Sequence, residues 1–306
     1  MDLFLFLKHH SIEYSINESV SRMSFVGIGG KAAIVAKPKN RGELLCLLSY
    51  LSSNGFPYKV VGNMSNILPP DGFWGICLIS TSKIRALYME DGIALAECGL
   101  PLTLLCKGML LSGICPPIEL FCIPATVGGA VYQNAGAYGR SIADYFIYAD
   151  VYDPTTDRVL RLDRADMNFS YRHSSLASRG ILLSAAIGGN GAKPEEAEQM
   201  MRRLALRRKK SQPQEPSLGS VFLRVGETSA AYYIDRAGLK GYCIGDAEVS
   251  RKHAGFIINK GNATAKDYRA LISIIQNAVR ERFCLELKTE IEIIEEKEKN
   301  AWLHFA

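Results

Sequence analysis

Apolar positions in the first part of the chain follow two rhythms. Short apolar runs at residues 33–37, 59–61, 76–79, 93–96, 146–152 and 181–187 predict strands, the first closed by Pro38. Between the first two runs, Leu44, Leu45, Leu47, Leu48 and Leu51 recur at helical spacing, and Gly55 is placed to cap that helix. This reads as a βαβ unit followed by a further strand. Pro101 opens a second helix at the position where a missing N–H costs nothing, and Gly113 ends it. Residues 188–194, Gly-Gly-Asn-Gly-Ala-Lys-Pro, have linker chemistry. Beyond them Glu195, Glu196 and Glu198 begin a helix that finishes in Arg207, Arg208, Lys209 and Lys210, each charge at the end the helix dipole favours. Helices over about 229–237 and 265–282, and a closing strand at 285–294 with apolar alternate residues, make a smaller α+β part. The expected division is 1–188, as two α+β lobes (1–80 and 81–188), and 189–306.

Composition narrows the class. A chain of 306 residues suits two domains at about 150 residues each. Its 48% hydrophobic and 22% charged residues exclude a largely disordered chain and supply a sizeable core. A net charge of +5 admits a phosphate-bearing ligand and is too small to argue for nucleic acid. The apolar run at 3–7 follows Asp2 and precedes Lys8, His9 and His10, which is too short for a membrane span and poorly flanked for an export signal. A cytoplasmic location with no membrane partner is therefore expected. No two of Cys46, Cys77, Cys98, Cys106, Cys115, Cys122, Cys243 and Cys284 form a C-x-x-C pair, and most lie in apolar runs. Buried reduced thiols are expected for most of them, with no disulfide frame and no metal site.

Two glycine-bearing stretches carry candidate chemistry. Gly62-Asn63-Met64-Ser65-Asn66 follows a strand and offers backbone N–H groups and hydroxyls to one point, as a pyrophosphate cradle does. Taken alone, it reads rather as a plain β-turn. There is no Walker A and no dinucleotide G-x-G-x-x-G. The second stretch, residues 122–139, holds four glycines and four alanines, which lets the backbone approach something flat and large.

Together with other segments these stretches form an ordered set of motifs. Ile123-Pro124-Ala125-Thr126-Val127-Gly128-Gly129-Ala130, then Asn134-Ala135-Gly136-Ala137-Tyr138-Gly139, resemble the FAD-contacting stretch of the UDP-N-acetylenolpyruvoylglucosamine reductase (MurB) family. Residues 27–32, 169–174, 216–222, 237–241, 249–259 and 290–294 resemble further motifs of that family, in order, from about residue 20 to 294. The resemblance implies an α+β fold. Its larger part is a two-lobed FAD-binding domain of the vanillyl-alcohol-oxidase/PCMH type, and its smaller part is a C-terminal substrate-binding domain. It implies non-covalent FAD, NADPH as co-substrate and a UDP-sugar substrate whose enolpyruvyl ether is reduced to UDP-N-acetylmuramate in peptidoglycan precursor synthesis. The cofactor contacts it implies are Gly62, Asn63, Met64, Ser65 and Asn66, then Ile123, Pro124, Ala125, Thr126, Gly128, Gly129, Asn134, Gly136, Ala137 and Tyr138.

The implied chemistry makes two demands: negative charge arising at C2 and the carboxylate must be stabilised, and a proton must reach C2. By resemblance Arg172 grips the carboxylate, Ser220 donates the proton and Glu290 is the third catalytic residue, its half-buried carboxyl donating a hydrogen bond to the enol. Tyr171, Lys210, Gln212, Gly219 and Arg224 are the implied substrate contacts. Read by themselves, Arg172 could be a surface ion pair, Ser220 a turn serine and Glu290 an edge glutamate.

The chain also departs from the pattern. Met64 stands where the first loop usually has glycine, Gln133 where Met is common, and Leu223-Arg224-Val225 where Lys-Asn-Pro is usual, so Arg224 has to replace an asparagine. The short connector at 175–180 fits the form of the family without a tyrosine lid. Two rival readings stay open: another flavin-dependent oxidoreductase of the same fold, and a non-catalytic nucleotide-binding relative. None of His9, His10, His173, His253 and His304 lies in a glycine loop, which argues against a histidine-tethered flavin. A monomer or weak dimer is expected.

Overall fold

The structure, a computed structural model, describes residues 2–191 and 193–295. Ala192 of the expected linker, His304 and the rest of residues 296–306 lie outside the described residues. Three larger sheets organise the described chain. In the first, the spatial order is Glu13–Ser19, Lys31–Lys37, Phe73–Ser80, Tyr58–Val61. Lys31–Lys37 and Tyr58–Val61 both run parallel to Phe73–Ser80, which lies between them. The expected βαβ unit is thus present but split by the strand that follows it. That central strand is a continuous apolar run, as a strand covered on both faces should be, and its Cys77, Leu78 and Ile79 are fully buried. The helix Arg41–Ser53 buries Leu44, Leu47, Leu48 and Leu51, is capped by Asn40 Oδ1 accepting from Glu43 N at 2.9 Å, and is followed by Gly55 at φ +67°.

The second sheet is antiparallel, in the order Arg158–Asp163, Phe146–Asp153, Ile181–Gly188, Ile93–Glu97, Leu87–Glu90. The helix Leu102–Leu111, with Pro101 just before its first turn, buries Leu102, Leu105 and Met109 in the core that also holds the leucines of the first helix. The third sheet runs Ser217–Ser220, Phe256–Asn259, Ala247–Val249, Cys243–Ile244. The helix Ala265–Phe283 shares its core, where the fully buried Tyr268 donates its hydroxyl to Ile257 O at 3.1 Å. Val26, Ile28 and Leu68 lie in that same core. The helix Pro194–Ser211 packs Ala197 and Met201 against Cys106, Cys115 and Ile118.

The apolar run near the start is a short helix, Leu3–His9, capped by Asp2 and burying Leu3, Phe6 and Leu7. Two expectations need correction. The closing strand at 285–294 forms a ladder only at Glu292–Ile293, because its hydrogen bonds are divided between two partners. The earlier part meets the third sheet's neighbourhood at a single bridge, Thr289 to Phe222, and the later part pairs in parallel with Ile67–Leu68. Burial of the cysteines is also less general than expected. All eight are free, but only Cys77, Cys98, Cys106 and Cys115 are buried, while Cys243 and Cys284 are exposed. Burial pushes the Cys77, Cys98 and Cys106 thiols up to about 12. Among the described residues, no helix is long and apolar enough to cross a membrane.

Candidate active site

One cavity of about 1210 Å³ runs between the three sheets. The first glycine loop leaves the strand Tyr58–Val61 and contributes Gly62, Asn63, Met64, Ser65 and Asn66 to its wall. The second contributes Ile123, Pro124, Ala125, Thr126, Gly128, Gly129, Gly136, Ala137 and Tyr138. The two loops are in close contact. A Cβ on Gly62 would run into the side chain of Thr126, which is itself buried as the cap of the helix Val127–Tyr132. The backbone N–H groups of Asn63, Met64 and Ser65 have no acceptor among the described residues. Consecutive unspent donors in a small-residue loop suit an anion such as a pyrophosphate. With a second wall of glycine and alanine open to a broad flat group, the residues present fit FAD.

Arg172, Glu290 and Ser220 face this same cavity. Arg172 sits in a tight turn closed by reciprocal bonds between Ser170 and His173, and its φ of +55° is the left-handed region that a bulky residue holds only under strain. Its Nε donates to Glu290 Oε1 at 2.6 Å and its Nη2 to Gly136 O at 3.0 Å. Burial pushes the Glu290 carboxyl up, and the Arg172 guanidinium pulls it only part of the way back. Ser220 ends the strand Ser217–Ser220 after Gly219, whose φ is +75°. The residue is exposed and its hydroxyl has no hydrogen-bond partner among the described residues, so it is free to serve a ligand.

Gln212, Gly219 and Arg224 also line the cavity, and Arg224 has no ion-pair partner among the described residues. Asn134, Tyr171 and Lys210 do not line it. Asn134 is buried behind the wall, donating to Ser170 O at 2.7 Å and accepting from Ala143 N at 3.2 Å, so it anchors the Arg172 turn. Tyr171 is 53% exposed, with its ring 5.2 Å from Arg172 Cζ. Lys210 points off the helix while Arg207, Arg208 and Lys209 line the cavity. Helical phase could have given this. Arg208 follows Leu204 and Met201 at i+4 and i+7, on the inward face, and Lys210 is more than half a turn away. Arg208 donates Nε to Gln212 Oε1 at 3.0 Å, and burial pulls its guanidinium down; Arg207 lies 5.2 Å from the Tyr138 ring centre. Gln133 and His253 are further lining residues that sequence reasoning did not place in a site; burial lowers the His253 imidazole.

Known proteins resemble this chain over most of its length. Residues 32–163 match the family model of an FAD binding domain, and residues 212–294 match that of the UDP-N-acetylenolpyruvoylglucosamine reductase C-terminal domain. UDP-N-acetylenolpyruvoylglucosamine reductase of Caldicellulosiruptor bescii is 39% identical over 302 residues, 97% of this chain and 96% of the relative. The enzyme of that name from Streptococcus uberis is 38% identical over 94% of this chain and 95% of its own. The crystal structure of UDP-N-acetylenolpyruvylglucosamine reductase (MurB) from Thermus caldophilus superposes with a TM-score of 0.78 at 29% identity, covering 93% of this chain and 99% of that one. The chain therefore belongs to the UDP-N-acetylenolpyruvoylglucosamine reductase family.

Proposed function

We propose that this protein is a UDP-N-acetylmuramate dehydrogenase. It reduces the enolpyruvyl ether of UDP-N-acetylglucosamine in peptidoglycan precursor synthesis, with NADPH as the electron source. Residues 1–188 are the cofactor-binding unit and 189–306 the substrate-binding unit of a cytoplasmic monomer or weak dimer. The observation that carries this reading is the convergence of Arg172, Glu290 and Ser220 on the cavity that the two glycine loops line.

The loops at 62–66 and 123–138 would hold FAD. When bound, FAD supplies a carrier that takes a hydride from NADPH and delivers it to C3 of the substrate. Arg172 holds the substrate carboxylate and neutralises the charge that reaches it from C2. That carboxylate then shares one guanidinium with Glu290, and the crowding of two negative charges adds to burial in favouring protonated Glu290. Protonated Glu290 can donate a hydrogen bond to the enol oxygen. Ser220 delivers its proton to C2, a step open to a weak acid because the acceptor is a strong base. Arg207, Arg208 and Lys209 present cationic groups for the diphosphate, whereas Lys210, an expected substrate contact, does not line the cavity.

Half-reactions test the reading. The purified protein should be yellow, bleach with NADPH and regain colour with the enolpyruvyl UDP-sugar. Ser220→Ala should bleach normally and regain colour on the order of a thousandfold more slowly. A flavin that bleaches but ignores the enolpyruvyl substrate would assign the fold to another oxidation–reduction. A preparation that takes up no flavin would leave only nucleotide binding.

A further inference from the structure

Glu290 lies where its segment changes partners. On one side Leu223 N donates to Lys288 O and Glu290 N to Val221 O; on the other, Glu292 N and Ile294 N donate to Asn66 O and Leu68 O. The carbonyl of Glu290 falls in the gap between these two patterns. It is captured there by two side-chain amides, Gln133 Nε2 at 2.9 Å and Asn66 Nδ2 at 3.2 Å. Asn66 Nδ2 also reaches Gln133 Oε1, which closes a three-membered set. Asn66 ends the first glycine loop, and Gln133 follows the short helix of the second. The backbone that carries Glu290 is thereby tied to both walls of the cofactor cavity, while its carboxyl meets Arg172.

We propose that Gln133, acting with Asn66, is a positioning residue for Glu290, so that the two glycine loops set the place of the proton-handling carboxyl as well as that of the flavin. This rests on the role given to Glu290 above. Gln133 spends its amide oxygen on Asn66 and one amide hydrogen on Glu290 O, which assigns the side chain to the clasp. Methionine at this position has the same length and no amide, so it leaves the carbonyl with Asn66 alone and frees the changeover point to move. Arg172 is the charged group that acts on the Glu290 carboxyl among the described residues, so a displaced carboxyl loses both its burial and that partner together.

The test compares FAD-loaded wild type, Gln133→Met, Asn66→Ala and the double variant. In stopped flow, Gln133→Met should bleach with NADPH within about twofold of wild type and regain colour with the enolpyruvyl UDP-sugar about tenfold more slowly, through kcat with KM little changed. The double variant should be slowed by less than the product of the single effects, because the two amides act as one unit. Independently of turnover, 13C-carboxyl-labelled glutamate, with Glu290 identified by its absence in Glu290→Gln, should show Glu290 titrating at lower pH in Gln133→Met, nearer the ordinary glutamate range. An unchanged Glu290 titration in Gln133→Met overturns the clasp, as does recovery of colour at the wild-type rate. Loss of FAD with slowed bleaching also overturns it, by making Gln133 a cofactor ligand. If wild type itself does not regain colour, the functional reading fails, and the titration still decides the clasp.

Discussion

Met64 occupies a position where glycine is usual in the motif, and it adopts glycine's backbone, with φ at +50°. Its side chain is 3% exposed and belongs to the cluster of Val61, Trp74 and Leu78. The left-handed strain and the buried packing oppose each other. Losing a buried methionine costs more than the strain returns, so Met64→Gly should destabilise the protein by about 2 kcal/mol, read by denaturant unfolding. The flavin absorbance should stay unchanged, because glycine holds the same loop shape. The departure at Met64 is therefore a packing substitution that leaves the loop's backbone donors in place. Residue identity made the glycine loops legible, since only small side chains let the two walls come so close. It did not single out Ser220, because an exposed serine at a strand end carries no local mark of the cavity it faces. Nor did it distinguish Arg208 from Lys210, for which charge says less than helical phase.

At the scale of elements, the helix Ala265–Phe283 shows what local signals do and do not reveal. Thr264 and Asp267 form a reciprocal capping box at its start, which the sequence displays openly. The same end also receives Asp71, whose Oδ1 accepts from Ala265 N at 2.6 Å and whose Oδ2 accepts from Lys266 N at 2.9 Å. No local pattern announces an acceptor nearly two hundred residues away. Asp71→Ala should cost about 1 kcal/mol in chemical denaturation, and Asp71→Asn, which keeps one acceptor oxygen, should cost less. The closing segment misled in the opposite way. Its alternation is real, with Leu287 and Ile291 buried. Periodicity reports only which face is covered, however, and not whether one partner strand lies alongside for the whole length. The strand inserted into the βαβ unit was hidden for a similar reason, because spatial order within a sheet leaves no mark on hydrophobic spacing.

At the scale of the whole molecule, a charged contact supplements the apolar core shared by the first two sheets. Asp150, in the second sheet, accepts from Arg41 Nη1 of the helix over the first sheet at 3.0 Å and from Arg161 Nε at 3.1 Å. Burial pushes the Asp150 carboxyl up, but the bonds from Arg161 and Arg41 outweigh it and hold it below the ordinary aspartate range. Its stabilisation is therefore present above the unfolded value of about 3.9 and is lost as pH falls through the lower folded value. Asp150→Asn should lower stability by about 1 kcal/mol at neutral pH, a modest figure because both arginines are partly exposed. The difference between the two proteins should shrink in acid unfolding measurements as pH falls below the unfolded aspartate value, and vanish once pH is below the lowered folded value.

The hydrogen bond from Asn66 to the Glu290 carbonyl spans a sequence separation of 224 residues. Synthesis runs at about 5–20 residues per second, so a nascent chain carries its first loop for many seconds before the partner of that loop has been made. The loops that would cradle the cofactor can take shape early, whereas the carboxylate beside Arg172 can arrive only when the intervening chain has been made and has folded back. A chain that has made only its glycine loops therefore still lacks the Arg172–Glu290 ion pair, and that pair marks a chain that has closed upon itself.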